Sequence, residues 1–338
     1  MALLAMGAAV VLASCSAAQR PPPRIPPTTT TVAPTTTAAP SSPLTGLAPT
    51  NSATLGRPAV IVKVDNAPEA RPQSGLDQAD VVYEEVVEGG VTRYLTVFQS
   101  QDVGTVGPVR SVRQTDAEVV HPIGGLFAYS GGIPAFVNDV HRTGVIDVGA
   151  VADPNAYHRD STRPAPHNLY VSVPALRQKT PSGAPAPPPL FTYLAPGATF
   201  NPTGAAAISQ LRVPMSTATV ATWSWDPAGG LWRRATNGAL QTVTGGTPVA
   251  FTNVIVETVP YHATGFIDPS GAPVPDADVV GTGSAVVLSG GRMARATWTR
   301  TAPGAVTSYT DASGTPMALT PGRTWVMLAP IGTATSSG

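Results

Sequence analysis

The polar residues best suited to chemistry lie in short, turn-rich stretches, and the clearest of these is residues 107–113. This stretch places Arg110 and Arg113 three positions apart, behind a Gly-Pro turn and at the predicted start of a helix. Residues spaced by three lie on one face of a helix. The free N–H groups and the dipole of a helix start favour a bound anion. The stretch therefore predicts an anion-binding helix start.

Other polar residues have the same placement beside predicted strand ends and turns: Asp65, Asn66, Arg71, Gln73, Arg93, His167 and Asn168. Loops at strand ends carry function on a rigid sheet, and they gather into clefts. Guanidinium groups bind carboxylates and phosphates through paired hydrogen bonds. The sequence therefore predicts that the four arginines, Arg71, Arg93, Arg110 and Arg113, line one anion-accepting cleft with the other residues around it.

The sequence leaves two other interpretations of these residues open. In the first, Arg71 and Arg110 pair with Glu84, Glu85 or Asp65 and only tie loops together, as structural ion pairs often do. In the second, Ser130 is a nucleophile with His167 as its base, although the Gly-x-Ser-x-Gly signature is missing. A glycosidase pair at Glu84 and Glu85 is excluded, because neighbouring strand residues point to opposite faces.

Metal and cofactor motifs are missing from the sequence. The five histidines show no His-x-x-x-His spacing, and Cys15 is the only cysteine, so no metal site is predicted. Neither a phosphate loop nor a dinucleotide fingerprint occurs, so no cofactor is predicted. Formal charge is zero at pH 7 and no basic patch is present, which argues against a nucleic-acid partner.

The first predicted domain, residues 44–180, alternates strands with helices, which predicts an α+β (mixed α/β) fold. Strands are predicted at 59–64, 80–87, 94–98 and 126–129, and the continuous apolar run at 59–64 indicates a strand buried on both faces. Helices are predicted at 110–120, 134–140 and 172–179, the last with Ser172 as its N-cap.

The second predicted domain, residues 190–330, follows a Pro-rich connection at 181–189 and is predicted to be smaller and all-β. Its strands are predicted at 219–225, 231–235, 249–259, 284–288, 293–299, 306–310 and 324–328. Turns are predicted at 289–292 and 311–314. All five tryptophans lie here and are interpreted as core residues rather than a ligand-stacking surface.

The N-terminus predicts an export signal. An apolar run at 2–12 is followed by Leu12-Ala13-Ser14-Cys15, which is similar to a bacterial lipobox with Cys15 as the acylated residue. Residues 1–15 are therefore predicted to be a lipoprotein signal peptide. Residues 16–43, rich in Pro and Thr, are predicted to be a disordered tether. The predicted location is the extracytoplasmic face of the cell membrane, with the lipid anchor as the membrane contact.

Several stretches together resemble the YerB-like family of bacterial lipoproteins, whose domains carry an unknown-function label. They are residues 64–66, 70–76, 79–84, 92–94, 107–111 and 166–170, and toward the far end residues 253–256, 290–292 and 321–325. The resemblance follows the same order from 44 to 330. It implies an N-terminal mixed domain and a smaller C-terminal β domain, and it lends no catalytic residues.

Three functions remain open from the sequence. The leading one is a binding or scaffolding lipoprotein of the cell envelope that recognises an anionic ligand, a cell-wall component or an envelope protein. The second is a hydrolase or transferase that acts on cell-wall material, and the third is a purely structural interaction module. A cleft lined by the arginines favours the first, a Ser130–His167 contact the second, and a flat surface with every arginine paired the third.

Overall fold

The computed structural model describes residues 40–268, 271–333 and 335–338. Cys15, the signal peptide and most of the predicted tether lie outside the described residues. Folded structure begins slightly before the predicted boundary at 44, because the Ser42 N–H donates to the Leu47 carbonyl at 2.8 Å. Leu44 is fully buried in the core.

The N-terminal part contains short helices between strands. Its strands are β1 (Val60–Asp65), β2 (Val81–Val86), β3 (Thr92–Phe98), β4 (Leu126–Ala128), β5 (Ile146–Asp147), β6 (Tyr157–Arg159) and β7 (Leu169–Val171). Its α-helices are α1 (Gln114–Val120), α2 (Pro134–Arg142) and α3 (Val173–Arg177). Single 3-10 turns lie at Ser52–Thr54, Pro68–Ala70, Leu76–Gln78, Glu88–Gly90 and Pro154–Ala156. The predicted cap of α3 is confirmed, since the Ser172 hydroxyl accepts from the Ala175 N–H at 3.4 Å.

The C-terminal part, which follows α3, forms strands joined by turns and loops, and its described residues contain no helix. Its strands are β8 (Thr192–Tyr193), β9 (Ala206–Ala207), β10 (Gln210–Pro214), β11 (Val220–Asp226), β12 (Leu231–Thr236), β13 (Ala239–Leu240), β14 (Ala250–Phe251), β15 (Asn253–Val259), β16 (Tyr261–Ile267), β17 (Pro273–Ala277), β18 (Gly281–Ser289), β19 (Arg292–Arg300), β20 (Ser308–Thr310), β21 (Ala318–Leu319), β22 (Thr324–Pro330) and β23 (Ser336–Ser337). The predicted turn at 289–292 joins β18 to β19 with Ser289 opposite Arg292.

One large sheet draws strands from both parts of the chain. Its order is β20-β19-β18-β15-β22-β2-β3-β1-β4-β5, with β9 added beside β19. Strand β22 pairs in parallel with both β15 and β2, so a strand from the far end of the sequence joins the two parts. A second sheet has the order β13-β12-β11-β10-β23, with β14 beside β12. Three two-stranded ribbons (β16–β17, β8–β21 and β6–β7) complete the pairing.

The class is therefore mostly strand with few helices, in several sheets. This matches the mixed α+β prediction only in part, because the helices of the first part have just five to nine residues.

Alternate residues of β1 pack into two cores, one on each face of the large sheet. Ile61 lies in a cluster with Phe136 of α2, whereas Val62 lies in a cluster with Trp223 of the second sheet. The sheet is thus covered on both faces, by α1 and α2 in the first cluster and by the second sheet with α3 in the other, which explains the continuous apolar pattern of β1. Four of the five tryptophans are buried, as the core interpretation predicted: Trp223, Trp232, Trp298 and Trp325.

The predicted helix at 110–120 was wrong at its start. Helix α1 begins at Gln114, and the backbone before it is extended, because the Arg110 N–H donates to the Lys63 carbonyl at 2.9 Å. The carboxylate of Asp116 accepts from the Arg113 N–H at 2.7 Å and fixes Arg113 as the N-cap. Arg110 and Arg113 therefore precede the helix instead of lying on one of its faces.

A buried carboxyl in β15 gives the core a pH dependence. Burial raises the pKa of Glu257 to about 7, and the Tyr309 hydroxyl and Arg300 offset this only in part. Because the folded carboxyl holds its proton to higher pH than the unfolded one, its contribution is fully present below about pH 4. That contribution is lost as the pH rises through about 7.

We expect the variant Glu257→Gln to lose this dependence. Its free energy of unfolding should fall by about 3 kcal/mol less than that of the wild type between pH 4 and pH 8. Urea titrations of both proteins across this range measure the difference. If the unfolding free energies of the two proteins change in parallel with pH, Glu257 does not hold a proton in the folded protein.

Candidate functional site

Several strands end or begin together at one edge of the large sheet. Strands β1, β4 and β5 run parallel, so the carboxyl ends of β1 and β4 meet there. Strand β3 is antiparallel to β1, which places Arg93 directly opposite Asp65. Ligands of sheets with parallel strands bind outside the carboxyl ends of the strands. A ligand site is therefore expected at this edge.

The segment 107–113 runs along this edge in extended form. Its Pro108 carbonyl accepts from the Asp65 N–H at 2.9 Å. On its other side, the Ser130 N–H donates to the Arg110 carbonyl at 3.0 Å, and the Val112 N–H donates to the Gly131 carbonyl at 2.9 Å. The segment is thus held between β1 and the loop that follows β4, and its arginines are fixed in position by backbone pairing.

A cleft of about 660 Å³ opens at this edge. It is lined by Glu88, Arg93, Arg110, Ser111, Arg113, Gly132, Ile133, Pro134, Pro166 and Asp268. Three of the four arginines grouped from the sequence thus line one cleft. Arg71 does not: it lies beside Leu240 and Gln241 in a different depression, and its guanidinium donates to the Asn66 side chain and carbonyl. Including Arg71 in the cleft was wrong.

The three cleft arginines differ in their partners. Arg110 Nε lies 3.0 Å from Asp65 Oδ2, and Arg113 contacts the carboxylate of Glu88. Arg93 has no carboxylate oxygen within 4.0 Å among the described residues. Among the described residues, its guanidinium donates to the Ser111 carbonyl at 3.0 Å, and its Nε finds no acceptor although only 5% of the residue is exposed. Within the described residues, this buried guanidinium is therefore left without a carboxylate in direct contact, although Asp65 and Glu88 lie near enough to favour its charge.

The surroundings of Arg93 disfavour its positive charge. Burial, followed by the nearby Arg113 and Arg110, lowers the pKa of Arg93 to about 10. The side chain remains charged at neutral pH. A bound anion would relieve both the desolvation and the repulsion between like charges.

The remaining predicted residues support the cleft from behind. Asp65 Oδ2 also lies 2.7 Å from His167 Nδ1, so one carboxylate joins Arg110 to the loop that carries His167. Asn66 and Gln73 are fully buried, and Gln73 donates to the Asp65 carbonyl and to the Asn66 side chain. Asn168 accepts from Arg159 at 2.6 Å and lies outside the cleft lining. These five residues hold loops in place.

A second charged cluster lies beneath the cleft. The ammonium of Lys63, fully buried, contacts the carboxylate of Glu85 and donates to Asp116 Oδ1 at 2.7 Å. Burial, followed by the charge of Asp116, raises the pKa of Glu85 to about 7. Since Asp116 also accepts from the Arg113 N–H, this cluster helps to hold the backbone of Arg113 in place.

The catalytic arrangements considered from the sequence do not form. Ser130 Oγ lies 3.3 Å from Ser111 Oγ, and no hydrogen bond joins Ser130 to His167 in the described part of the chain. Glu84 and Glu85 point to opposite faces of β2, where Glu84 contacts Arg234 and Glu85 contacts Lys63. Within residues 40–268, 271–333 and 335–338, no group of three His, Cys, Asp or Glu side chains is placed to hold a metal ion. The helices of the same residues are all too short or too polar to cross a membrane.

Sequence reasoning missed two parts of the cleft wall. One is the start of α2 at Ile133 and Pro134, and the other is Asp268 at the end of β16. The first had a signal, since a strand, a Gly-Gly pair and a proline at the first helical position form a strand–loop–helix pattern. The second had none, because the β16–β17 ribbon reaches the cleft only through the fold.

Comparisons with known proteins agree with this architecture. Residues 44–185 match the N-terminal domain of the family described as protein of unknown function (DUF3048), and residues 211–326 match its C-terminal domain. The Bacillus subtilis (strain 168) protein named "Putative lipoprotein YerB" is 30% identical over 299 residues, covering 86% of each chain. The crystal structure of YerB protein from Bacillus subtilis superposes with a TM-score of 0.74 at 26% identity, covering 88% of this chain and 99% of that one.

Proposed function

The chain belongs to the DUF3048 family of YerB-like proteins, and from this premise we propose that it is an anion-binding lipoprotein of the cell envelope. Its binding site is the cleft lined by Arg93, Arg110 and Arg113. The ligand is a carboxylate or phosphate group carried by a cell-wall component or by an envelope protein.

The observation that carries this proposal is the unpaired guanidinium of Arg93. Leaving a buried charge without a partner is costly, and proteins rarely keep one without a use. Arg110 and Arg113 have carboxylate partners, which explains them as structural residues. Arg93 has none among the described residues, and it lies at a cleft large enough for a small ligand.

The proposal is tested by titrating anions into the wild type and into Arg93→Met. Acetylated alanine dipeptide and inorganic phosphate are suitable carboxylate and phosphate probes for calorimetry. We expect the tighter-binding probe to lose about 2–5 kcal/mol of binding free energy in Arg93→Met, because a buried charge-assisted contact is removed.

The matched control is Arg71→Met, which removes the same side chain outside the cleft. It should bind the probe as the wild type does. Equal affinity in the wild type and both variants, or no binding of either anion, would refute the cleft as an anion site.

One observation favours a second candidate, a hydrolase or transferase. The contact between His167 Nδ1 and Asp65 Oδ2 has the geometry of a carboxylate that orients an imidazole. Ser130 is not hydrogen-bonded to this pair in the described part of the chain, because it contacts Ser111 instead. Hydrolysis of a cell-wall substrate that is lost in His167→Ala and kept in Ser130→Ala would favour this candidate with an activated water.

The envelope location rests on Cys15 and on the name of the relative. We expect Cys15→Ala to move the protein from the membrane fraction to the medium, or to leave it unprocessed, because no other cysteine can be acylated. Fractionation followed by immunoblotting measures this. A variant that stays in the membrane fraction at its mature size would rule out the lipid anchor.

A further inference from the structure

The first turn of α2 forms one end of the arginine cleft. Gly132, Ile133 and Pro134 line the cleft, and α2 has nine residues from Pro134 to Arg142. Its N-cap, Ile133, has no side-chain oxygen to accept from the helix, and Pro134 has no N–H. The next two N–H groups, of Ala135 and Phe136, have no acceptor within the described part of the chain. This helix start therefore presents two donors and the positive end of its dipole.

Backbone pairing keeps this helix start close to the arginines. The Gly131 carbonyl accepts from the Val112 N–H between Arg110 and Arg113, so α2 begins only three residues beyond that pairing. A Cβ on Gly132 would lie 2.4 Å from Val112 Cγ2, which shows how tightly the loop lies against the arginine segment. Gly131 has a φ of 130°, a conformation that favours glycine.

Arg93 supplies the second, independent indication of a ligand at this place. The residue is more than nine-tenths buried, lines the same cleft and has an Nε with no acceptor in residues 40–268, 271–333 and 335–338. The Arg93 side chain and the start of α2 thus line one cleft, and the Arg93 Nε and the first two N–H groups of the helix have no acceptor among the described residues.

The charges at the cleft fit a ligand with a single negative charge. Asp65 and Glu88 neutralise Arg110 and Arg113, which leaves one guanidinium and the partial charge of the helix. Asp268 adds a carboxylate at the rim, where it also accepts from the Ala272 N–H at 2.9 Å. With Asp268 counted, the three arginines and the three carboxylates sum to zero formal charge, so the helix start supplies the remaining positive potential. A carboxylate brings one negative charge to this place and a dianionic phosphate brings two, which favours the carboxylate.

The walls beside these donors are apolar. Ile133, Pro134 and Pro166 line the cleft and offer no hydrogen-bond donor from their side chains. We infer that the cleft binds the C-terminal carboxylate of a peptide, held between Arg93 and the first turn of α2, with a small apolar side chain against this wall. The inference rests on the proposed function and narrows its ligand class.

The test compares three probes by calorimetry on the full chain: acetylated alanine dipeptide as the free acid, the same dipeptide as the C-terminal amide, and inorganic phosphate. We expect the affinity for the acid to be at least about tenfold higher than the affinity for the amide, since the amide lacks the charge. We also expect the acid to bind more tightly than phosphate. Comparing the affinities of dipeptide acids built from L-alanine and from D-alanine shows which stereochemistry the apolar wall accepts.

A negative charge placed at the start of α2 tests whether this helix start contributes to binding. Pro134 is exposed at the first helical position, where a glutamate suits the helix dipole. Pro134→Glu should therefore fold normally and weaken binding of the acid by about fivefold or more. Asn138→Glu makes the same charge change one turn further along α2, outside the cleft lining, and should leave the affinity unchanged.

The outcomes separate this inference from the proposed function. Phosphate binding that depends on Arg93 and exceeds acid binding would overturn the peptide carboxylate and leave the anion site intact. Equal affinities for acid and amide, or equal effects of Pro134→Glu and Asn138→Glu, would also overturn it. No binding of acid or phosphate would overturn both proposals.

Discussion

Replacing Arg234 by methionine is expected to lower the free energy of unfolding by about 3–5 kcal/mol, because it leaves a buried carboxylate without its cation. Arg234 is fully buried, and its Nη2 donates to Glu84 Oε1 at 2.7 Å. Trp325 Nε1 donates to the other oxygen of Glu84 at 3.0 Å. The guanidinium also lies 4.9 Å from the ring centre of Trp325. This cluster joins β2, β12 and β22, and so it ties the N-terminal part to both sheets.

The neighbouring residue provides a matched control. Arg233 is exposed on the opposite face of β12 and pairs with Asp226 at 2.6 Å, so Arg233→Met should change stability by less than about 1 kcal/mol. The double variant Glu84→Gln with Arg234→Met should recover part of the loss, since no charge remains buried. Urea unfolding at constant pH measures all three. Similar midpoints for Arg234→Met and Arg233→Met would show that the buried pair contributes little.

Lys63→Met is expected to have an effect of similar size, about 3–5 kcal/mol at pH 8, because Glu85 and Asp116 would share a buried site without a cation. The loss should be smaller near pH 5. Lys63 lowers the pKa of Glu85, so its removal raises a pKa that is already about 7. A carboxyl with a raised folded pKa is tolerated in its neutral form at low pH and becomes destabilising as the pH rises through that pKa.

The chain's other lysine provides the control for this variant. Lys179 is half exposed and lies 3.3 Å from Asp153, so Lys179→Met should change stability by less than about 1 kcal/mol at either pH. Denaturant titrations at pH 5 and pH 8 measure both variants. A loss in Lys63→Met that is the same at both pH values would show that Glu85 keeps its charge throughout.

Local patterns were sufficient to predict most of the secondary structure. The apolar run of β1, the cap at Ser172 and the turn at 289–292 each depend on residues close together in the sequence, and each occurs as expected. The same holds for the buried tryptophans, because large aromatic side chains in strands have few alternatives to the core.

Features that depend on distant partners were not predicted. The backbone at Arg110 is extended because its N–H finds the Lys63 carbonyl, and nothing near Arg110 in the sequence reveals that acceptor. Strand β22 enters the large sheet between β15 and β2, a position that its own sequence does not specify. The β16–β17 ribbon, which brings Asp268 to the cleft, was likewise missed.

The candidate site shows the same division. Arg71 and Arg93 both lie near strand ends, and their neighbours in the chain offer no reason to separate them. Their roles differ because the backbone of Arg93 lies opposite that of Asp65 at the edge of the sheet, which places its side chain at the cleft. Arg71 lies outside the cleft, where its guanidinium donates to the side chain of Asn66. The unpaired state of Arg93 is also a property of the fold, since it depends on which carboxylates Arg110 and Arg113 have taken.

The most direct test of the central claim, that Arg93 is an anion-binding residue, is to follow the arginine Nε–H groups by nuclear magnetic resonance while acetylated alanine dipeptide acid and phosphate are titrated separately. The Arg93 Nε–H has no acceptor in the part of the chain that the structure describes. A bound oxyanion should therefore shift its resonance downfield to saturation, while that of exposed Arg233 stays in place. An Arg93 resonance that remains unchanged with both anions, or that shifts only in parallel with Arg233, would contradict the account.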